Sequence, residues 1–148
     1  MLPFSRIKHI AFVVKDIEAM EKVLEEVLGV RSTGITTRML EGGKGVVKTA
    51  FFHMEKGSIE IIYQEFPPSW EGSPLKTPPG FHHIAFETPD FEEALSSLAQ
   101  KGIRPLPRFP MDTGHSRVAF FPPDQTGGIL MELHDSAAYP AKDPRCGS

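Results

Sequence analysis

Cysteine is all but missing from this chain of 148 residues: Cys146 is the only one. An internal disulfide and a thiolate metal site are thereby excluded, and such cysteine usage fits a reducing, cytoplasmic setting. Long hydrophobic runs are missing too, with none near the roughly 18 residues of a membrane span. The N-terminal MLPFSRIKH holds no long apolar stretch, so no secretory signal is expected. Nor is there an excess of one charge. A net charge of -3 with both signs interspersed leaves no electrostatic footprint for nucleic acid. Neither a nucleic-acid nor a membrane partner is therefore expected. What is present is 40% apolar and 24% charged residues, ordinary for a globular protein of one domain. Fourteen prolines and thirteen glycines promise frequent turns.

The chain repeats itself. His-Ile-Ala-Phe occurs at His9–Phe12 and again at His83–Phe86, 74 residues later and half the chain away. Asp16 and Asp90 keep the same offset, and each opens a helical pattern that ends near a glycine, Gly29 or Gly102. Ile59-Glu60-Ile61 is echoed by Met131-Glu132-Leu133 at an offset of 72. Identity, order and spacing together indicate a duplicated module of about 70 residues.

Local signals give both copies one layout. Residues 7–14 read as a buried strand; Asp16 is an N-cap, and Met20, Val23, Leu24, Val27 and Leu28 form an apolar stripe. Residues 31–40 add a strand, and 45–53 with 57–64 form a hairpin. In the second copy strand 82–87 leads into a helix with the stripe Phe91, Ala94, Leu95, Leu98 and Ala99, and residues 116–121 and 128–134 form the matching hairpin. The fold class expected is α+β, two tandem βαβββ modules. Module one spans about 6–65 and module two about 81–135, with a linker at 66–80 and a loose tail at 136–148. The linker holds five prolines and two glycines.

Alternation along a strand then sorts the polar residues. His9 lies opposite Ile10, Phe12 and Val14. His83 lies opposite Ile84 and Phe86, which His82 accompanies. Glu60 opposes Ile59, Ile61 and Tyr63, and Glu132 opposes Ile129, Met131 and Leu133. Each module thus leaves one histidine and one glutamate on the face turned away from its helix. A polar group there costs several kcal/mol unless it is satisfied or opens on a solvated cavity. Taken singly, each reads as a hydrogen-bonded or solvent-facing side chain. Repeated in two copies, His9, Glu60, His83 and Glu132 read as ligands of a divalent transition ion, and four such ligands in octahedral geometry leave two positions open. Cobalt, manganese, nickel, zinc and iron all suit such a set.

At these residues the sequence resembles the vicinal oxygen chelate superfamily, the glyoxalase/bleomycin-resistance/dioxygenase fold. The likeness covers roughly residues 6–135 and is greatest to the methylmalonyl-CoA epimerase family. It is carried by IKHIAFVVKDIEAMEKVLEEVLGV, GFHHIAFETPDFEEALSSLAQKGIRPL and FFPPDQTGGILMELHD. The resemblance implies an incomplete β-barrel around a metal, with His9, Glu60, His83 and Glu132 at the four metal positions. It implies a metal-dependent epimerase or isomerase that moves the α-proton of a small carbonyl or acyl-CoA thioester through an enolate. Glu132 is the first candidate for proton transfer. Some epimerases carry a catalytic glutamate after a Gly-Val-Val segment, where Gly45-Val46-Val47-Lys48 has lysine. Lys48 is then a base with a lowered pKa, an anion-binding group, or a solvated strand residue. A glyoxalase I-type lactoylglutathione lyase is the nearest alternative, followed by a non-catalytic, drug-sequestering member of the fold. Relatives exchange modules between subunits, so a homodimer is expected.

His115 and Arg117, in the polar loop Asp112–Arg117, are candidates for substrate contact, with an exposed turn as the other reading. His53 and His134 lie on strands near the hairpins and read as structural. The stretch Glu41–Gly45 lacks the spacing of a phosphate loop and reads as a turn. Cys146, in the tail, is given no role.

Overall fold

The computed structural model describes residues 4–114 and 116–137. Its elements follow the expected double order: β1 Arg6–Val13, α1 Ile17–Leu28, β2 Thr36–Leu40, β3 Gly45–Met54 and β4 Gly57–Glu65. They are followed by β5 Gly80–Thr88, α2 Phe91–Gln100, β6 Met111–Asp112, β7 Arg117–Phe121 and β8 Met131–Asp135. The α+β class and the βαβββ order of each half are those read from the sequence. His115 and the tail from Ala138, with Cys146, lie outside the described residues.

Both helices begin where their aspartates dictate. The Asp16 carboxylate accepts from the Ala19 N–H at 3.0 Å, and that of Asp90 from the Glu93 N–H at 3.1 Å. Each relieves one of the donors left open at a helix start. Gly29 ends α1 with φ 68°, and its N–H reaches back to the Glu25 carbonyl. Glycine adopts this left-handed cap without a Cβ clash. No helix among the described residues is long and apolar enough to cross a membrane.

Two compact units are present. Ile10–His82 forms the first; residues up to His9, together with those from His83 onward, form the second. In the first unit the strands run in the order β2-β3-β4-β1. Helix α1 lies on β3 and β4, burying Ile17 against Val14, Ala50, Phe52 and Ile61. Met20, Leu24 and Leu28 pack there too, but Val23 and Val27 are 50% and 72% exposed. The expected stripe is thus narrower, because these two valines fall at its edge on a wheel of 100° per residue.

In the second unit the order is β5-β8-β7-β6, and the start of β1 is tied to β5 by the Ser5 N–H on the Glu87 carbonyl at 2.8 Å. Helix α2 contributes Phe91, Ala94, Leu95 and Leu98 to a cluster with Ala119, Phe121, Leu133 and Phe86. The N-terminal Phe4 extends this core by stacking on Phe86. In both units the helix covers the strand face selected by alternation and leaves the His- or Glu-bearing face uncovered by it. Phe12 departs from that rule. It is not packed against α1 but partly exposed, edge-on to Phe81.

Candidate metal centre

The second unit gathers its polar side chains around one oxygen. On β5, His83 shares a face with Ala85, which is level with Glu132 of β8 in a parallel ladder. The small Ala85, fully buried, leaves room above it for both side chains. His9 enters from the middle of β1. Its Nε2 lies 3.0 Å from His83 Nε2, and both nitrogens lie 3.2 Å from Glu132 Oε1. Phe120, opposite Glu132 on β7, meets the His83 ring edge-on at 5.1 Å and walls the cluster on that side.

A third imidazole completes the arrangement. His134 Nε2 lies 2.7 Å from the same Glu132 Oε1, and its ring stands edge-on to His9 with centroids 5.5 Å apart. The sequence reading took His134 as structural, although it follows Glu132 by two residues on one strand and so shares its face. That spacing was the available signal. His9, His83 and Glu132 are buried, and His134 nearly so. Burial alone would raise the Glu132 carboxyl. The neighbouring imidazoles of His134 and His83 outweigh burial and hold it well below the usual carboxylate range.

The donor set fits a divalent ion. At metal–ligand bonds of about 2.0–2.2 Å, donors at right angles about the ion stand roughly 3.0 Å apart, close to the 3.0–3.2 Å found among His9, His83 and Glu132. Two imidazole nitrogens and a carboxylate oxygen are also the donors that first-row transition ions take.

Glu60 belongs to the first unit. It is buried on β4 opposite Phe51, on a strand face that also carries Ile62, Ser58 and His53. His53 Nδ1 meets Ser58 Oγ at 2.6 Å across the hairpin.

Two further candidates lie on the helix side of their strands. Lys48 is level with Tyr63, on the α1 side of the hairpin and opposite in strand parity to Glu60. Its Nζ lies 3.7 Å from Glu18 of the first turn of α1 and 5.8 Å from the centre of the Tyr63 ring. Strand alternation thus sets it on the face opposite Glu60. Arg117 is likewise on the helix side. Its guanidinium bonds Asp135 at 3.1 Å and Glu92 of α2 at 2.7 Å, and lies 4.8 Å from the centre of the Phe91 ring. These contacts tie Arg117 to α2 and to β8. His115, its partner in that expectation, is outside the described residues.

Sequence reading also passed over a charged group in the second unit. Glu87 bonds Arg6 at 2.8 Å and the buried Lys8 at 3.3 Å. Burial would raise the Glu87 carboxyl, but the Arg6 hydrogen bond and the charges of Lys8 and Arg6 bring it below its ordinary value.

Known proteins resemble the chain across most of its length. Mitochondrial methylmalonyl-CoA epimerase of Mus musculus is 27% identical over 139 residues, covering 89% of this chain and 74% of the relative. The same enzyme of Bos taurus is 28% identical, covering 89% and 75%. Among solved structures, methylmalonyl-CoA epimerase from Mycobacterium tuberculosis shares the fold, with a TM-score of 0.69 at 20% identity over 90% of this chain and 91% of that one. Streptomyces coelicolor methylmalonyl-CoA epimerase, in complex with 2-nitronate-propionyl-CoA, has a TM-score of 0.64 at 26% identity, covering 91% and 99%. The model of the Glyoxalase/Bleomycin resistance protein/Dioxygenase superfamily matches residues 8–121, and the chain belongs to that superfamily.

Proposed function

We propose that this protein is a metal-dependent epimerase that moves the α-proton of an acyl-CoA thioester, methylmalonyl-CoA being the first substrate to test. The observation that carries the reading is the convergence of His9 Nε2, His83 Nε2 and Glu132 Oε1 within 3.0–3.2 Å of one another. The likeness to methylmalonyl-CoA epimerases supports the choice of substrate. His9, His83 and Glu132 are the proposed metal ligands, and Glu60, the counterpart of Glu132 in the sequence repeat, is proposed with them. The donor set suits cobalt, nickel, zinc, iron or manganese. Bound there, a divalent ion supplies Lewis acidity to a carbonyl oxygen, lowering by several kcal/mol the cost of charge that develops when the α-proton leaves.

The residues of the chain do the rest. Glu132 takes all three imidazole contacts at Oε1. Its second oxygen, Oε2, is the proposed acceptor of the α-proton. An epimerase must return that proton to the other face, either with a second base or by carrying it across. His9 and His83 are fixed by burial, which holds their nitrogens in place without reorganisation during the reaction. Phe120 keeps water from one side of the His83 ring. A homodimer is part of the reading: β2 ends its row of strands with Met39 exposed, an open edge able to pair.

The test follows the α-proton of methylmalonyl-CoA by NMR in D₂O, with protein supplied with Co²⁺. Washout at catalytic rates, abolished by chelator, is the expected result. Washout only from a methylglyoxal–thiol adduct would replace the epimerase with a lyase. Tight binding without washout from either would leave a sequestering protein.

A further inference from the structure

A fourth side chain joins His9, His83 and Glu132 on the second unit's polar face. His134 follows Glu132 at the two-residue interval that keeps both on one side of β8. Its ladder partner across β7 is Val118, with Phe120 next on that face, and across β5 it is level with Glu87, whose carboxylate is engaged by Arg6 and Lys8. One ligand atom each from His9, Glu132 and His134 lie within 4.8 Å of one another.

The two ring nitrogens of His134 are used unequally. Nε2 points into the cluster, 2.7 Å from Glu132 Oε1. Nδ1 is buried and has no hydrogen-bond partner among the described residues. A histidine serving only to fill space or brace the sheet has reason to engage both nitrogens, since an unmet buried one costs about 1–3 kcal/mol. Among the described residues, the hydrogen bond of the ring aims at the point where two imidazoles and a carboxylate already meet.

We propose that His134 is itself a ligand of the centre, through Nε2, so that the second unit contributes three imidazoles and one carboxylate. This rests on the metal reading given above. Ligation needs the Nε2 lone pair, so the bound neutral ring carries its one proton on Nδ1. The chemical consequence is selectivity: an imidazole-rich set suits zinc, nickel and cobalt, whereas carboxylate-rich sets suit manganese and magnesium.

The experiment uses the full chain with Co²⁺ as the probe. Each imidazole bound through Nε2 keeps one Nδ1–H, which gives a strongly shifted proton signal in H₂O that vanishes in D₂O. At His134 this hydrogen is buried and protected from rapid exchange. The wild type is expected to show the His134 signal beside those of His9 and His83. His134→Gln removes that signal alone and weakens Co²⁺ binding by about tenfold or more. Glutamine can still donate to Glu132, so a merely bracing role would be largely retained. Only two such signals in the wild type, or an unchanged set in H134Q, would overturn the proposal while leaving the metal centre standing. A wild type that takes up no Co²⁺ would overturn the metal reading itself, and this proposal with it.

Discussion

Glu18 and Glu92 stand 74 residues apart, each in the first turn of its helix, and each meets a cation from the strand below. In the first unit the cation is Lys48, at 3.7 Å and above the Tyr63 ring. In the second it is Arg117, at 2.7 Å, bonded also to the buried Asp135 and packed on Phe91. On the helix-bearing faces the two halves therefore repeat one design. On the opposite faces they differ. Glu60 shares its face with Phe51 and the His53–Ser58 pair, whereas Glu132 is gripped at one oxygen by three imidazoles. Seating an amphipathic helix on a sheet constrains both halves alike. The free face is under no such constraint, and there the two halves carry different polar sets.

The sharpest way to break this contrast is at Glu132. Glu132→Gln should lower the rate of α-proton washout by about 10²–10⁴-fold, the range for loss of a proton-transfer group, and should weaken metal retention, read by elemental analysis. Glu60→Gln, read by the same two assays, measures what the first unit adds. If Glu60 were the more damaging site, the assignment of the chemistry to the second unit would be reversed.

Next in size is Glu87, whose removal leaves Lys8 buried without its carboxylate. Glu87→Gln should cost about 3–5 kcal/mol in denaturant unfolding. Its carboxyl is depressed in the folded protein, so its stabilisation is present above the unfolded value of about 4.3. That stabilisation is lost as pH falls through the lower folded value. The variant should show a shallower loss of stability on the acid side, a slope that a purely steric change would not alter.

The paired helix contacts give smaller effects that test the comparison itself. Arg117→Met leaves Asp135 Oδ2 without its guanidinium and should cost about 1–3 kcal/mol. Lys48→Met, at a partly exposed pair, should cost no more than about 0.5 kcal/mol. Neither should change the washout rate by more than about twofold, since both cations face the helices. A large kinetic loss in Lys48→Met would restore it as a base. Asp16→Ala and Asp90→Ala should each cost about 1 kcal/mol, and unequal costs would show that the two helix starts are not equivalent.

Much of the architecture was legible because it rests on local physics. The aspartate caps, the apolar stripe of α2 and the alternation along β1, β4, β5 and β8 depend on near neighbours in the chain, and the 74-residue offset supplied each reading twice. The α1 stripe was read too wide because periodicity ranks a helix face without saying how far the sheet extends beneath it; hence the exposed Val23 and Val27. Lys48 was assigned from its place after Gly-Val-Val, although its parity with Tyr63 already set it against Glu60. His134 and Glu87 were missed despite sharing the faces of Glu132 and His83, because neither has a counterpart in the repeat.

The sequence by itself determined that the chain is a doubled βαβββ module and that His9, His83, Glu60 and Glu132 lie on faces turned from the helices. Periodicity and strand alternation suffice for that, being properties of the chain within a few residues. Only the tertiary structure decided that His9, 123 residues before Glu132, meets the same oxygen as His83 and His134. It also decided that Lys48 and Arg117 spend their charge on helix glutamates. Those partnerships depend on which strands become neighbours and in what register, and register is set by the packing of whole elements rather than by any local run of residues.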